Sequence, residues 1–163
     1  MSAITVYTGG TQVVNSPICK FGRRNLDFGQ GFYVTNIREQ AQSWANNMAR
    51  SRKESPLLNR YKMDRDAILT NYRCKVFTAY DKEWLEFIVA NRQGLNEAEK
   101  YDYVEGGVAN DRVVDTVNLY IAGLIEMETA LRELSKHQPN NQMCILNQNI
   151  INKHFIYDGT ENL

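Results

Sequence analysis

The chain has 163 residues, 43% of them hydrophobic and 23% charged, and its 19 lysines and arginines balance 19 aspartates and glutamates. That is enough chain for a single domain, expected to span residues 1–163, with a sizeable core. A formal net charge of zero removes any global electrostatic case for a nucleic-acid or membrane partner, and no run of ~20 apolar residues is present to cross a bilayer.

The start, Met1-Ser2-Ala3-Ile4-Thr5, lacks the charged and apolar regions of a signal peptide, so the cytoplasm is the expected compartment. Cys19, Cys74 and Cys144 are odd in number and widely spaced. They match no metal or disulfide spacing and read as buried thiols. His137 and His154 are isolated, so no metal site is expected.

In chain order, Ile4-Thr5-Val6-Tyr7-Thr8 is a β-prone run that Gly9-Gly10 should stop. Residues 11–26 lack periodicity. Pro17 and Gly22 punctuate them, Lys20, Arg23 and Arg24 add a basic cluster, and the segment reads as a loop. It leads into Asp27-Phe28-Gly29-Gln30-Gly31-Phe32-Tyr33-Val34-Thr35, two glycines directly before an aromatic strand over 31–35. Glycine permits positive φ and a close approach to the backbone, so this stretch predicts a tight bend that carries a tyrosine to the lip of a sheet.

Asn36, with Glu39 three residues on, predicts a capping box for a helix whose inward face is Ile37, Ala41, Trp44, Ala45 and Met48, and which Pro56 breaks. The run from Arg50 to Arg65 holds six basic residues. It reads as a solvated connection, or as a surface for a phosphate-rich partner. Tyr72, Cys74 and Val76 alternate with polar neighbours as in a half-buried strand.

Asp81 opens a helix with Trp84, Leu85, Ile88 and Val89 inward, ending before Gly94. Tyr101-Asp102-Tyr103-Val104 is a short strand stopped by Gly106-Gly107. Asn110 or Asp111 caps a helix carrying Val114, Val117, Tyr120, Ile121 and Leu124. A further helix follows Gly123 and ends at Pro139. Asn141 to Leu146 reads as a late strand, Ile150-Ile151 and Phe155-Ile156-Tyr157 as a last turn and strand, and the tail from Asp158 as frayed. Helices inserted between several short strands indicate an α+β fold.

Three features recur in a fixed order: Tyr7-Thr8-Gly9 on strand one, Gly29-Gln30-Gly31-Phe32-Tyr33 entering strand two, and Asn141-Gln142-Met143-Cys144-Ile145 on a late strand. Together with Leu26-Asp27-Phe28, Gln40-Ala41, Trp44-Ala45 and Tyr101-Asp102 through Ala109-Asn110-Asp111, this order resembles the ADP-ribosyltransferase superfamily. That superfamily includes the poly-ADP-ribose polymerases and diphtheria-type toxins, and the chain looks closest to an uncharacterised bacterial domain family grouped with them. The resemblance runs from about Val6 to Tyr157.

It implies a split β-sandwich of two small sheets with NAD, as substrate, in a cleft between them. Carried over by position, the histidine, tyrosine and glutamate of the superfamily's His-Tyr-Glu branch fall on Thr8, Tyr33 and Gln142, so two of the three depart from the pattern. The resemblance makes Tyr33 and Gln142 the catalytic candidates. Tyr7, Thr8, Gly9, Arg24, Asp27, Gly29, Gly31, Phe32 and Tyr33 are the candidates for holding NAD. In this reading Tyr33 stacks on nicotinamide, the Thr8 hydroxyl bonds the adenosine-side ribose, and Arg24, in preference to Arg23, holds the pyrophosphate by its guanidinium fork.

Rupture of the nicotinamide–ribose bond develops positive charge on the sugar, which a carboxylate stabilises and a glutamine does not. Asp27, Asp102, Glu105 and Asp111 are the carboxylates to seek near the cleft. The implied activity is NAD-dependent mono-ADP-ribosyl transfer to a protein or nucleic-acid acceptor, by the toxin half of a toxin–antitoxin pair. NAD glycohydrolysis, with water as acceptor, is a variant of the same chemistry. The alternative is a module of the same fold that binds NAD, ADP-ribose or a partner protein without turnover.

Overall fold

A computed structural model describes residues 3–24, 26–109, 111–136 and 140–163. The caps expected at Asn110 and the Asp111 side chain, the isolated His137 and the stop at Pro139 lie outside the described residues. The order of elements is β1 (Ala3–Gly10), β2 (Phe32–Val34), α1 (Arg38–Arg52), β3 (Leu57–Asp64), α2 (Arg65–Asn71), β4 (Cys74–Val76), α3 (Lys82–Arg92), β5 (Tyr103–Gly106), α4 (Asp111–Ile121), α5 (Met127–Leu134), β6 (Gln142–Ile145), α6 (Gln148–His154) and β7 (Phe155–Asn162). The fold is mixed α+β with two small sheets. Among the described residues no helix is long and apolar enough to cross a membrane.

The first sheet is antiparallel in the order β1-β3-β7. The second runs β2-β6-β5-β4, with only β4 and β5 parallel. Among the described residues a single bridge joins them: Tyr7 N–H donates to the Thr35 carbonyl at 2.8 Å, and Thr35 N–H returns a bond to the Tyr7 carbonyl at 2.9 Å.

Alternation along the second sheet divides its side chains between two cores. Phe32, Val34, Tyr103, Met143 and Ile145 face the first sheet and meet Val6, Tyr61 and Met63 there. Tyr33, Val104 and Cys144 face the opposite way, against Phe28, Trp84, Leu85 and Ile88 and the apolar stripe Val113, Val117, Ala130 and Leu134 of α4 and α5. The second sheet is therefore covered on both faces.

Helix α1 lies on the outside of the first sheet through Ala41, Ala45 and Ala49, a stripe of small residues one turn apart. Trp44 and Met48 of the expected inward face are half-buried at its edge. Strand β1 does not stop at its glycines but pairs through Gly10. A Cβ on Gly9 would fall 1.9 Å from the Ala41 carbonyl oxygen, so this glycine is what lets helix and strand approach.

The capping box is not formed. The N-cap is Ile37, whose N–H donates to Thr35 Oγ1 at 3.0 Å, and the Asn36 side chain accepts instead from Asn141 Nδ2 at 3.1 Å.

Two segments and one thiol differ further from expectation. Residues 57–64 are not a solvated connection but β3, the centre of the first sheet. Strand β3 keeps its alternation, with Asn59, Tyr61 and Met63 buried on one face, but Leu58 is buried on the other, paired with Gly9 on the side that α1 covers, and this blurs the period of two; the register shift beside it places an extra residue in β7. Three basic residues of the run are engaged within the chain: Arg60 with Asp158 and Glu161, Lys62 with Thr5, Arg65 with Glu105.

The tail from Asp158 does not fray. It continues β7 to Asn162 along β3, held by the Arg60 pairs and by Arg38 on Glu161 at 2.6 Å. Of the thiols, Cys19 and Cys144 are buried, whereas Cys74 is half-buried on the edge strand β4, and all three are free. Burial pushes the Cys19 and Cys74 thiols up to about 11.

Candidate active site

On the outer face of the second sheet, a cavity of about 370 Å³ opens between β2, β6, the edge of α1 and the end of α3. Leu26, Asp27, Tyr33, Trp44, Arg92, Val108, Ala109 and Gln142 line it. Both catalytic candidates, Tyr33 and Gln142, are in it, with Asp27.

Tyr33 is placed by strand pairing opposite Cys144, and Gln142 by pairing opposite Gly106. Alternation turns both side chains to the same face of the sheet. The Tyr33 hydroxyl donates to the Gly29 carbonyl at 2.6 Å and accepts from Phe28 N–H at 3.1 Å. Burial pushes this phenol far above its ordinary value. Tyr33 thus closes the 28–33 bend with its hydroxyl and leaves its ring to the cavity.

Gln142 is 5% exposed, and its Nε2 has no hydrogen-bond partner among the described residues. A buried donor left unmade costs about 1–3 kcal/mol, which an acceptor atom in the cavity would relieve.

Asp27 meets Arg92 across the cavity wall, Nε to Oδ1 at 2.6 Å, with both side chains at least four-fifths buried. The preceding residue fixes this contact. Asn91, 1% exposed, donates from Nδ2 to the Asp27 carbonyl at 2.8 Å and accepts at Oδ1 from Ala98 N–H at 3.0 Å. The opposite wall, residues 107–109, is held by Trp84 Nε1 donating to the Gly107 carbonyl at 3.1 Å and by Val108 N–H donating to Asn140 Oδ1 at 2.7 Å.

The structure does not bring every candidate here. Arg24 and Gly29 line a second, larger cavity of about 870 Å³ with Gln30, Arg73, Asp102 and Leu146, so the 26–31 loop stands between the two. Gly29 has φ +92°, a conformation that favours glycine. A Cβ on Gly31 would meet the Ile145 carbonyl oxygen at 2.5 Å, and strand packing alone accounts for that residue. Tyr7, Thr8 and Gly9 lie on β1 and line neither cavity. Tyr7 instead sits under the Arg38 guanidinium, 5.8 Å from its ring centre. Phe32 faces the inter-sheet core, edge-on to Tyr61 at 5.7 Å.

Of the carboxylates sought, Asp102 belongs to the larger cavity, bound to Arg73 and Asn147. Glu105 is buried on the other face of the sheet in a two-point bond with Arg65, 2.8 Å at each contact. Among the described residues Asp27 is the only carboxylate lining the cavity of Tyr33 and Gln142.

The sequence offers no signal for Arg92 or Asn91, and it marks Trp44 only as part of a helix face and of the family-like run. Arg92 is 65 positions from Asp27 and reads as an ordinary helix-end cation, and Trp44 reads as part of a core stripe.

The sequence profile of a family described as a protein of unknown function (DUF3990) matches residues 4–155. The chain belongs to the DUF3990 family. No curated protein and no solved structure matches it. The DUF3990 match spans β1 to the start of β7, and every described residue lining the cavity falls inside it.

Proposed function

We propose that this DUF3990 domain is an NAD-dependent mono-ADP-ribosyltransferase with an ADP-ribosyltransferase-like split β-sandwich, acting as the toxin of a toxin–antitoxin pair. The observation that carries the reading is the unpartnered Gln142 amide, buried in the floor of a cavity beside the Tyr33 ring. The cavity's volume lies in the usual range for small-ligand sites, about 300–1,000 Å³. Its lining fits the nicotinamide–ribose half of NAD: aromatic faces from Tyr33 and Trp44 for a flat ring, the Gln142 amide for a ribose hydroxyl, and the remaining N–H groups of Arg92 for phosphate oxygens. Bound there, NAD would supply the ADP-ribosyl group and nicotinamide as leaving group. Gln142 would orient the ribose and the aromatic pair would exclude water. The acceptor is a protein or nucleic-acid group.

Nicotinamide release and labelled transfer into a cell lysate test this. Wild type is expected to exceed the Tyr33→Ala, Gln142→Ala double variant by about 100-fold or more, the scale of losing a transition-state contact. Equal rates in the two proteins would refute it. The neutral amide at Gln142 favours a second reading, a module that binds NAD or ADP-ribose without turnover. Calorimetry that finds tight binding in a protein releasing no nicotinamide would select it.

A further inference from the structure

We propose that Asp27 is the carboxylate of the transfer step, and that Arg92 is the positioning residue that holds it. This rests on the ADP-ribosyltransferase reading and deepens it. Heterolysis at a sugar carbon needs a negative charge facing the carbon that becomes cationic, and the late-strand position that would carry it holds the neutral Gln142. Among the described residues one carboxylate lines the same cavity, Asp27.

Its placement is built rather than incidental. The loop carbonyl is pinned by Asn91, and Oδ1 takes a single Arg92 N–H at 2.6 Å. Asp27 Oδ2 accepts no hydrogen bond from the described residues. One oxygen is thus anchored, and none of the described residues takes the other. Both side chains are more than three-quarters buried, so the charge is only weakly screened.

The bond between ribose C1′ and the nicotinamide nitrogen breaks, and its electron pair leaves with nicotinamide. The positive charge arising at C1′ faces the Asp27 carboxylate while Gln142 holds the ribose. An acceptor hydroxyl or water forms the new C1′–O bond, and its proton passes to Asp27 and on to solvent.

The test compares two ligands by calorimetry, NAD and an ADP-linked iminosugar whose ring nitrogen is cationic, alongside nicotinamide release. Asp27→Asn is expected to keep NAD affinity within about 3-fold. It should lose any preference for the cationic ligand and slow release by about 100-fold or more. Gln142→Glu in the Asp27→Asn background, which returns a carboxylate to the cavity, is expected to restore part of the rate. If Asp27→Asn does not fold by thermal melting, Asp27→Ser, which keeps an acceptor for Arg92, is read with the same expectations. Wild-type release and cation preference that survive both substitutions overturn the assignment and leave the transferase reading standing. Wild type that neither binds NAD nor releases nicotinamide overturns both.

Discussion

In the proposed mechanism Gln142 and Asp27 would divide between them tasks that a single glutamate would perform: one would orient, the other carry charge. Tyr33 was legible at the lip of the sheet because a glycine bend and an aromatic strand are both local features. Its hydroxyl bond to Gly29 was not, because that contact depends on the bend's actual geometry. Asp27 with Arg92 was illegible for a simpler reason, since nothing local links residues 65 apart.

Asp102 shows how much one side chain can organise away from the cavity of Tyr33. Burial acts to raise its carboxyl, but the Arg73 side chain and N–H and the Asn147 amide outweigh this and hold it below the usual value of 3.8. Its carbonyl also takes the N–H groups of Leu146 and Asn147. A depressed carboxyl contributes stability that is complete above the unfolded value and is lost as pH falls through the folded one. Urea unfolding of wild type should therefore weaken more between pH 5 and pH 3 than that of Asp102→Asn. Equal loss in both would remove Asp102 from the acid response.

At the level of elements, α3 and β6 were readable because caps and apolar spacing agree: Asp81 accepts from Trp84 N–H at 2.9 Å as its position implies. The strand β3 was not, because it sits inside a basic run and Leu58, on the face opposite Asn59, Tyr61 and Met63, is buried as well. The missing partner also explains the tail, since β7 has meaning only once β3 is a strand. Gly9 was read as a stop and is a contact. Gly9→Ala should destabilise by about 2 kcal/mol or more, because the added methyl meets the backbone of α1 rather than a movable side chain. Thermal melting checks this, and an unchanged midpoint would mean that α1 can lift from β1 at no cost. Gly10→Ala, with only the Met48 sulfur near at 3.8 Å, is the mild control.

For the whole molecule, the α+β class was legible from short strands separated by helices, and the two small sheets only from the family resemblance. The pairing of the sheets was not, because it rests on β3 and on the Tyr7–Thr35 bridge. Two of the molecule's cavities lie on either side of the 26–31 loop, and the proposed chemistry belongs to the smaller of these. A crystal soaked with NAD tests the central claim most directly. The account predicts nicotinamide against the Tyr33 ring, with Gln142 Nε2 and Asp27 Oδ2 both within hydrogen-bonding reach of the attached ribose. NAD lodged instead in the larger cavity between Arg24 and Arg73, or absent from both at saturating concentration, would contradict it.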